Sequence, residues 1–219
     1  MPTATLEEYL EAIYKLSQHG LVRPTQVAEA VGVSGPTVTA TLRRLEAHGL
    51  VSRDGTKVVL TDEGLSRSLD IVRRHRVAET FLVDTLGLDW DAAHEEACTL
   101  EHALSPRVLS ALEDFLDNPS VCPHGHPIPA ADGSVAEQWG RPLCDVMAGS
   151  SALVLSVAEE DPQILGYLGE LGLRPGAQAT VVESAPFQGP LTVEIAGIRT
   201  AIAREIARLV TVEPLVELA

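Results

Sequence analysis

The stretch 94–102 reads HEEACTLEH and carries four side chains able to bind a metal: His94, Cys98, Glu101 and His102. Successive gaps of four, three and one residues put all four within an arc of roughly 100° on a helix, while Glu95, Glu96 and Thr99 point elsewhere. A stripe facing a core would be apolar at these positions, and a solvated stripe rarely selects Cys. A partly buried helix with hydrogen-bonded histidines would also produce the pattern, but the donor types favour a face built to hold a metal. Upstream, His75 and Glu79 lie four apart and therefore on one helix face. Such a pair alone is usually a surface contact; beside HEEACTLEH it becomes a second candidate ligand set. Downstream, Cys122, His124 and His126 also offer donors. No second pair follows at zinc-finger spacing, so this Pro- and Gly-rich stretch reads as a structured loop.

The elements that must position these groups fall into three parts. Leu6, Tyr9, Leu10, Ile13, Tyr14 and Leu16 recur at helical spacing over Thr5–Ser17. A short helix then opens at Pro24 and closes at Gly32, and a second runs from an N-cap at Ser34 to Gly49. LVSRDGTKVVLT follows, alternating about Asp54-Gly55 as a β-hairpin does. Two short helices joined by a tight turn and trailed by a hairpin make a winged helix-turn-helix. The next part is helical over 61–86, 89–104 and 106–117, the last capped by Ser105. Its apolar residues, Leu100 to Leu116, exceed what a small domain needs and point to burial between helices, including those of a second subunit. A connector rich in Pro and Gly covers 118–150. From Ala152 the runs ALVLSVA, AQATVVES, LTVEIAG and RLVTVEPL, with one helix in PQILGYLGELG, form a small β-barrel of SH3 type. The expected fold class is thus mainly α with β. Its parts are a DNA-binding domain over 1–72, a helical dimerisation and metal-binding domain over 73–140, a linker over 141–151 and the SH3-like domain over 152–219.

Composition narrows the function. The 219 residues carry a formal charge of −15, which at first opposes nucleic acid as a partner. The charge is unevenly spread, however: residues 1–76 sum to +1 and the remainder to −16. A DNA-binding head on an acidic body is therefore allowed. Three cysteines are too few and too odd in number for a disulfide framework, which fits a reducing cytoplasm. No apolar run reaches the roughly 18 residues of a membrane span, and MPTATLEEYLEAIY does not have the pattern of a signal peptide. In SGPTVTATLRR, the residues Ser34, Pro36, Thr37 and Thr39 would approach base edges and phosphates, with Arg43, Arg44, Arg53 and Lys57 as phosphate contacts. Any of these arginines could equally be a solvated surface charge.

With the winged helix, HRVAETFL, AHEEACTLEHALS, CPHGHPIP and a terminal barrel in this order, the whole chain resembles the diphtheria toxin repressor family of metal-dependent transcriptional regulators. The resemblance implies a homodimer that binds palindromic operators when loaded with divalent metal and controls metal uptake, with two metals per subunit. One site would use Glu8, Cys98, Glu101 and His102, with Glu11 nearby. The other would use His75, Glu79 and His94, completed by Glu160 and Gln163 of the barrel. Metal would then bridge the N-terminal head to the body and turn repulsion among carboxylates into a clamp. Family members often carry Gln where Ala40 stands, so base readout would be thinner here and DNA shape more important. Iron-responsive members place Met where Glu8 stands and manganese-responsive ones a carboxylate, whereas many of the latter carry Glu in place of Cys98. Glu8, Glu11, Glu79 and Glu101 make the donor pool hard, so Mn(II) is expected ahead of Fe(II). The alternatives are an iron-responsive regulator of the same type and a metal-dependent hydrolase, since a metal held by His, Glu and Cys can activate water. Against the hydrolase stand the crowding of ligands and the lack of a nucleophile elbow or phosphate-cradling loop.

Overall fold

A computed structural model describes residues 4–158 and 161–215. The chain forms two compact units, 1–75 with 129–134 and 76–128 with 135–219.

In the first unit, α1 (Ala4–Ser17) buries Leu6, Tyr9, Leu10 and Ile13, the stripe its spacing predicts. The helix α2 (Pro24–Val31) has Pro at its first position and ends on Gly32 in left-handed backbone, φ +68°. Val38, Leu42 and Leu45 of α3 (Gly35–Ala47) share one core with α1 and with Val51 and Val58. Ser34 occupies the N-cap position of α3, but its hydroxyl meets Thr37 Oγ1 at 2.9 Å instead of capping a backbone N–H. The strands β1 (Val51–Asp54) and β2 (Lys57–Leu60) pair antiparallel around Gly55-Thr56, and Val22 adds an isolated bridge to Val58. The helix α4 (Asp62–Thr80) starts behind Thr61, whose Oγ1 accepts the Gly64 N–H at 3.0 Å. Helix, helix, helix and two-stranded wing follow one another as a winged helix-turn-helix does.

The second unit takes over at Arg76. A π-helical turn, Phe81–Thr85, carries α4 onward until Gly87, φ +70°, ends it; the helix expected to Leu86 is therefore present with its last turn widened. Next come α5 (Ala92–Leu100) and α6 (Pro106–Phe115), the latter capped by Ser105 as its sequence indicates. Ala78, Leu82, Ala93, Ala97 and Leu104 form their small core.

The remainder is a six-stranded antiparallel sheet. Its strands are β3 (Arg141–Pro142), β4 (Ser151–Val157), β5 (Gln178–Ser184), β6 (Leu191–Ile195), β7 (Ile198–Ile202) and β8 (Val210–Pro214), in the order β3-β8-β4-β5-β6-β7. Two helices, α7 (Pro162–Glu170) and α8 (Arg204–Arg208), interrupt it. Alternate residues of β4, β5 and β6 face the core, as in a small SH3-like barrel. The stretch 141–151, read from composition as a linker, supplies β3 and sends Leu143 and Cys144 into the barrel core. Trp90, which precedes α5, belongs to the same core.

Candidate metal centre

The chemistry of the second unit converges on Glu79, in the last turn of α4, whose carboxyl is fully buried (0% exposed). An unpaired carboxylate is expensive in such a place, so its surroundings must compensate. Two imidazoles meet one of its oxygens: His94 Nδ1 lies 3.0 Å and His124 Nδ1 3.2 Å from Glu79 Oε1. A Cys122 sulfur joins them. Donor atoms of Glu79, Cys122 and His124 lie within 4.8 Å of one another, and His124 and Cys122 are 0% and 3% exposed.

Cys122 and His124 sit on the Pro- and Gly-rich stretch expected to be a structured loop. The loop is indeed ordered by its own backbone: Val121 bridges Pro127, Cys122 N–H donates to His126 O, and Gly125 N–H donates to Cys122 O. It is also tied down from outside. Arg76 Nη1 donates to Pro127 O at 2.7 Å, Gln138 Nε2 to Gly125 O at 2.8 Å, and Val157 N–H of β4 to His124 O at 3.0 Å. His126 turns the other way, with Nε2 at 2.7 Å from Val157 O. Ordered and chemically equipped are thus not alternatives in this loop.

The tautomer of His124 tests whether these residues fit a metal. Its Nε2 lies 3.0 Å from the Trp90 carbonyl, which can only accept, so Nε2 carries a hydrogen. In the neutral ring, Nδ1 is then a lone pair aimed at Glu79 Oε1, and it has no hydrogen-bond partner among the described residues. Two lone pairs meeting in a buried site repel unless a proton or a cation lies between them. Carboxylate, imidazole and thiol converging there make a donor set that fits a divalent transition metal.

The other residues expected at the metals divide between the units. Glu8, exposed, Glu11, buried and 3.2 Å from Lys15, and His75, buried, belong to the first. In the second, Cys98 is exposed with Sγ 3.9 Å from His94 Nε2, and buried Glu101 lies 3.4 Å from His102. Gln163 is exposed in the first turn of α7, where Asp161 accepts its N–H. Glu160 lies outside the described residues.

On the expected DNA face, Ser34, Pro36 and Thr37 are exposed at the start of α3, and Arg43 and Arg44 are exposed further along it. Thr39 instead donates its hydroxyl to Gly35 O at 3.0 Å, and Arg53 pairs with Glu46 at 3.1 Å. Lys57 is half-buried in β2.

The three thiols differ in access, and alkylation reads the difference. Cys98 is exposed, Cys122 and Cys144 are buried, and burial pushes the Cys144 thiol above its ordinary value. Iodoacetamide reacts with the thiolate, so a raised value means less of the reactive form at any pH below it. At pH 8 the folded protein is expected to label at Cys98 alone, with Cys122 and Cys144 following in denaturant. Peptide mass mapping checks the order.

Three family models match the chain. Residues 1–59 match the iron dependent repressor N-terminal DNA binding domain, 61–130 the iron dependent repressor metal binding and dimerisation domain, and 141–214 the FeoA domain. The chain is similar to the iron-dependent repressor IdeR of Mycobacterium tuberculosis, 35% identical over 225 residues that cover 95% of this chain and 96% of that one. It is 31% identical to the diphtheria toxin repressor of Corynebacterium efficiens over 221 residues, 95% of each. Among solved structures, a manganese-dependent transcriptional repressor in complex with manganese superposes with a TM-score of 0.89 at 35% identity, covering 96% of this chain and all of that one. ScaR with bound Cd2+ gives 0.85 at 32% identity, covering 98% and 100%.

Proposed function

The chain belongs to the diphtheria toxin repressor family, and from that membership we propose that it is a metal-dependent transcriptional repressor, binding palindromic operator DNA as a homodimer when loaded with divalent metal and controlling metal-uptake genes in the cytoplasm. The observation that carries the metal dependence is the buried meeting of Glu79, His124 and Cys122, with His124 Nδ1 3.2 Å from a carboxylate oxygen. These three residues hold one metal, and His94 steadies Glu79 from the side. When bound, a divalent ion supplies positive charge to a site whose donors are acidic or neutral and crosslinks α4 to the loop 122–128. The remaining donors rest on the family resemblance, which assigns His75, Glu160 and Gln163 with Glu79 and His94 to one metal, and Glu8, Cys98, Glu101 and His102, with Glu11 nearby, to the other.

Mn(II) is the proposed metal. Carboxylate and imidazole donors suit it, and a related solved structure is a manganese-dependent repressor. Two points favour Fe(II) as the second reading: the Cys122 thiol is a softer donor than Mn(II) requires, and the related IdeR is named as an iron-dependent repressor. The experiment is an anaerobic titration with Mn(II), Fe(II), Co(II) and Zn(II), read as binding to a duplex selected from a random pool. Duplex binding at full strength in excess chelator would overturn metal dependence, and activation by Fe(II) at lower concentration than Mn(II) would favour the second reading. The hydrolase reading is set aside, since the relatives are transcriptional repressors and the donors are buried.

The homodimer has a physical basis in α6. Val108 and Phe115 are exposed, 47% and 66%, and with Phe81, Ala111 and Leu112 they line an apolar hollow of about 430 Å³. Phe81 and Phe115 meet edge to face, 6.3 Å between centroids. Such a patch on a soluble protein marks an interaction surface. Phe115→Glu is expected to shift the chain toward monomer, weakening self-association at least tenfold, as checked by sedimentation equilibrium.

A further inference from the structure

The residue that decides which nitrogen His124 offers is not itself a donor. The Trp90 carbonyl accepts from His124 Nε2 at 3.0 Å, and the Trp90 indole N–H donates to Pro123 O at 3.1 Å, so one residue grips both His124 and its neighbour in the loop. The two rings stack at 4.9 Å between centroids, tilted by 41°. Trp90 is held in turn by the barrel. Its side chain is 5% exposed within the barrel core, and the Arg174 guanidinium lies 4.9 Å from the ring centroid. The sequence of α7 makes room for this. A β-carbon at Gly169 would come within 3.4 Å of the Trp90 ring and 3.0 Å of the Arg174 guanidinium, and one at Gly166 within 3.1 Å of the Asp91 carboxylate. Two glycines in a nine-residue helix are costly for the helix. Their effect is a face on which the segment before α5 can lie.

We propose that Trp90 is a positioning residue of the metal centre: its side chain, plugged into the barrel core, fixes its own carbonyl so that His124 is held as the Nε2–H tautomer and presents Nδ1 to the metal. Metal binding and the seating of α7 and the barrel core around Trp90 are then one coupled equilibrium. Linkage makes the coupling reciprocal: whatever affinity the seated barrel gives the metal, the metal returns to the seating. The barrel acts on the metal through this grip even where it donates no ligand. This inference rests on the reading of Glu79, Cys122 and His124 as a metal centre.

The test uses the full chain and Co(II) as probe, since a thiolate-to-Co(II) charge-transfer band removed by Cys122→Ser reports this centre. In Trp90→Ala, Co(II) affinity is expected to fall about 10- to 100-fold, the usual range when a ligand loses the group that orients it, and the band to change in intensity. Trp90→Phe keeps an aromatic plug and the backbone carbonyl while losing the bond to Pro123 and part of the ring, so most of the affinity should return. Arg174→Gln leaves the plug itself in place and should weaken binding about threefold, which keeps the test alive if Trp90→Ala fails to fold. Imidazole 15N shifts of His124 in the metal-free protein should show a single Nε2–H tautomer in wild type and a mixture in Trp90→Ala. Folded Trp90→Ala with wild-type affinity, band and tautomer would overturn the proposal, as would Trp90→Phe no better than Trp90→Ala, or Arg174→Gln without effect where Trp90→Ala does not fold. A wild type with no Cys122-dependent band would instead overturn the metal centre, and this inference with it.

Discussion

Glu79→Gln is expected to raise the Mn(II) concentration for half-maximal duplex binding about 100-fold, the equivalent of about 2.7 kcal/mol. The substitution keeps the shape of the side chain and removes its charge at the point where His94 and His124 both meet Oε1. Without that charge the site loses its anionic oxygen, and a divalent ion must be held by imidazole and thiol alone. The metal-free fold should survive, because a buried carboxylate is not a strong source of stability and its neutral isostere fills the same space. Thermal melts in chelator are therefore expected to move little, while the rise in melting temperature on adding Mn(II) is lost. A similar melt with unchanged Mn(II) dependence would remove Glu79 from the centre.

Gly125→Ala is expected to act on the fold and the metal together. Gly125 has φ +86°, and a β-carbon there would overlap the Leu155 carbonyl and lie 2.9 Å from Ser156 Cα in β4. The backbone conformation alone disfavours any other residue, and here Ser156 and Val157 are held by pairing with Thr211 and Val210 of β8. The loop must lift from β4, which breaks the Val157 N–H to His124 O bond and moves His124. A loss of about 2–4 kcal/mol in metal-free stability follows from strain and overlap combined. Half-maximal metal concentration for duplex binding should rise at least tenfold beyond what the lower stability explains. Differential scanning calorimetry in chelator, beside the duplex titration, separates the two effects. Gly64→Ala is a useful contrast, since its β-carbon would strike the Leu50 carbonyl and disturb the first unit without touching the loop.

Much of the fold was legible because its signals are local. Leu6, Tyr9, Leu10 and Ile13 announce α1 by spacing, Pro24 and Gly32 bracket α2, and Ser105-Pro106 opens α6. What escaped was set by tertiary contact. The strand β7, IRTAI, has an exposed first residue and weak alternation, and it is a strand because β6 pairs with it. The widened turn Phe81–Thr85 has no local sequence mark at all. At the site, helical spacing put Glu79 and His94 forward as chemistry-bearing residues, and the structure brings them to 3.0 Å. Spacing could not show that Cys122 and His124, some forty residues after Glu79, return to the same carboxylate, because loop closure leaves no period to read. Nor could it show that Trp90 would leave the helical part to enter the barrel core.

On the proposed function, Glu79, Cys122 and His124 hold the divalent metal. Anomalous diffraction from a crystal of the Mn(II)-loaded protein, recorded on both sides of the manganese edge, tests it without a variant. The expected result is an anomalous peak at bonding distance from a Glu79 carboxylate oxygen, Cys122 Sγ and His124 Nδ1, with His124 Nε2 still donating to the Trp90 carbonyl. Fully occupied manganese elsewhere in a protein that binds duplex DNA in a metal-dependent way, with no peak among these three side chains, would contradict it.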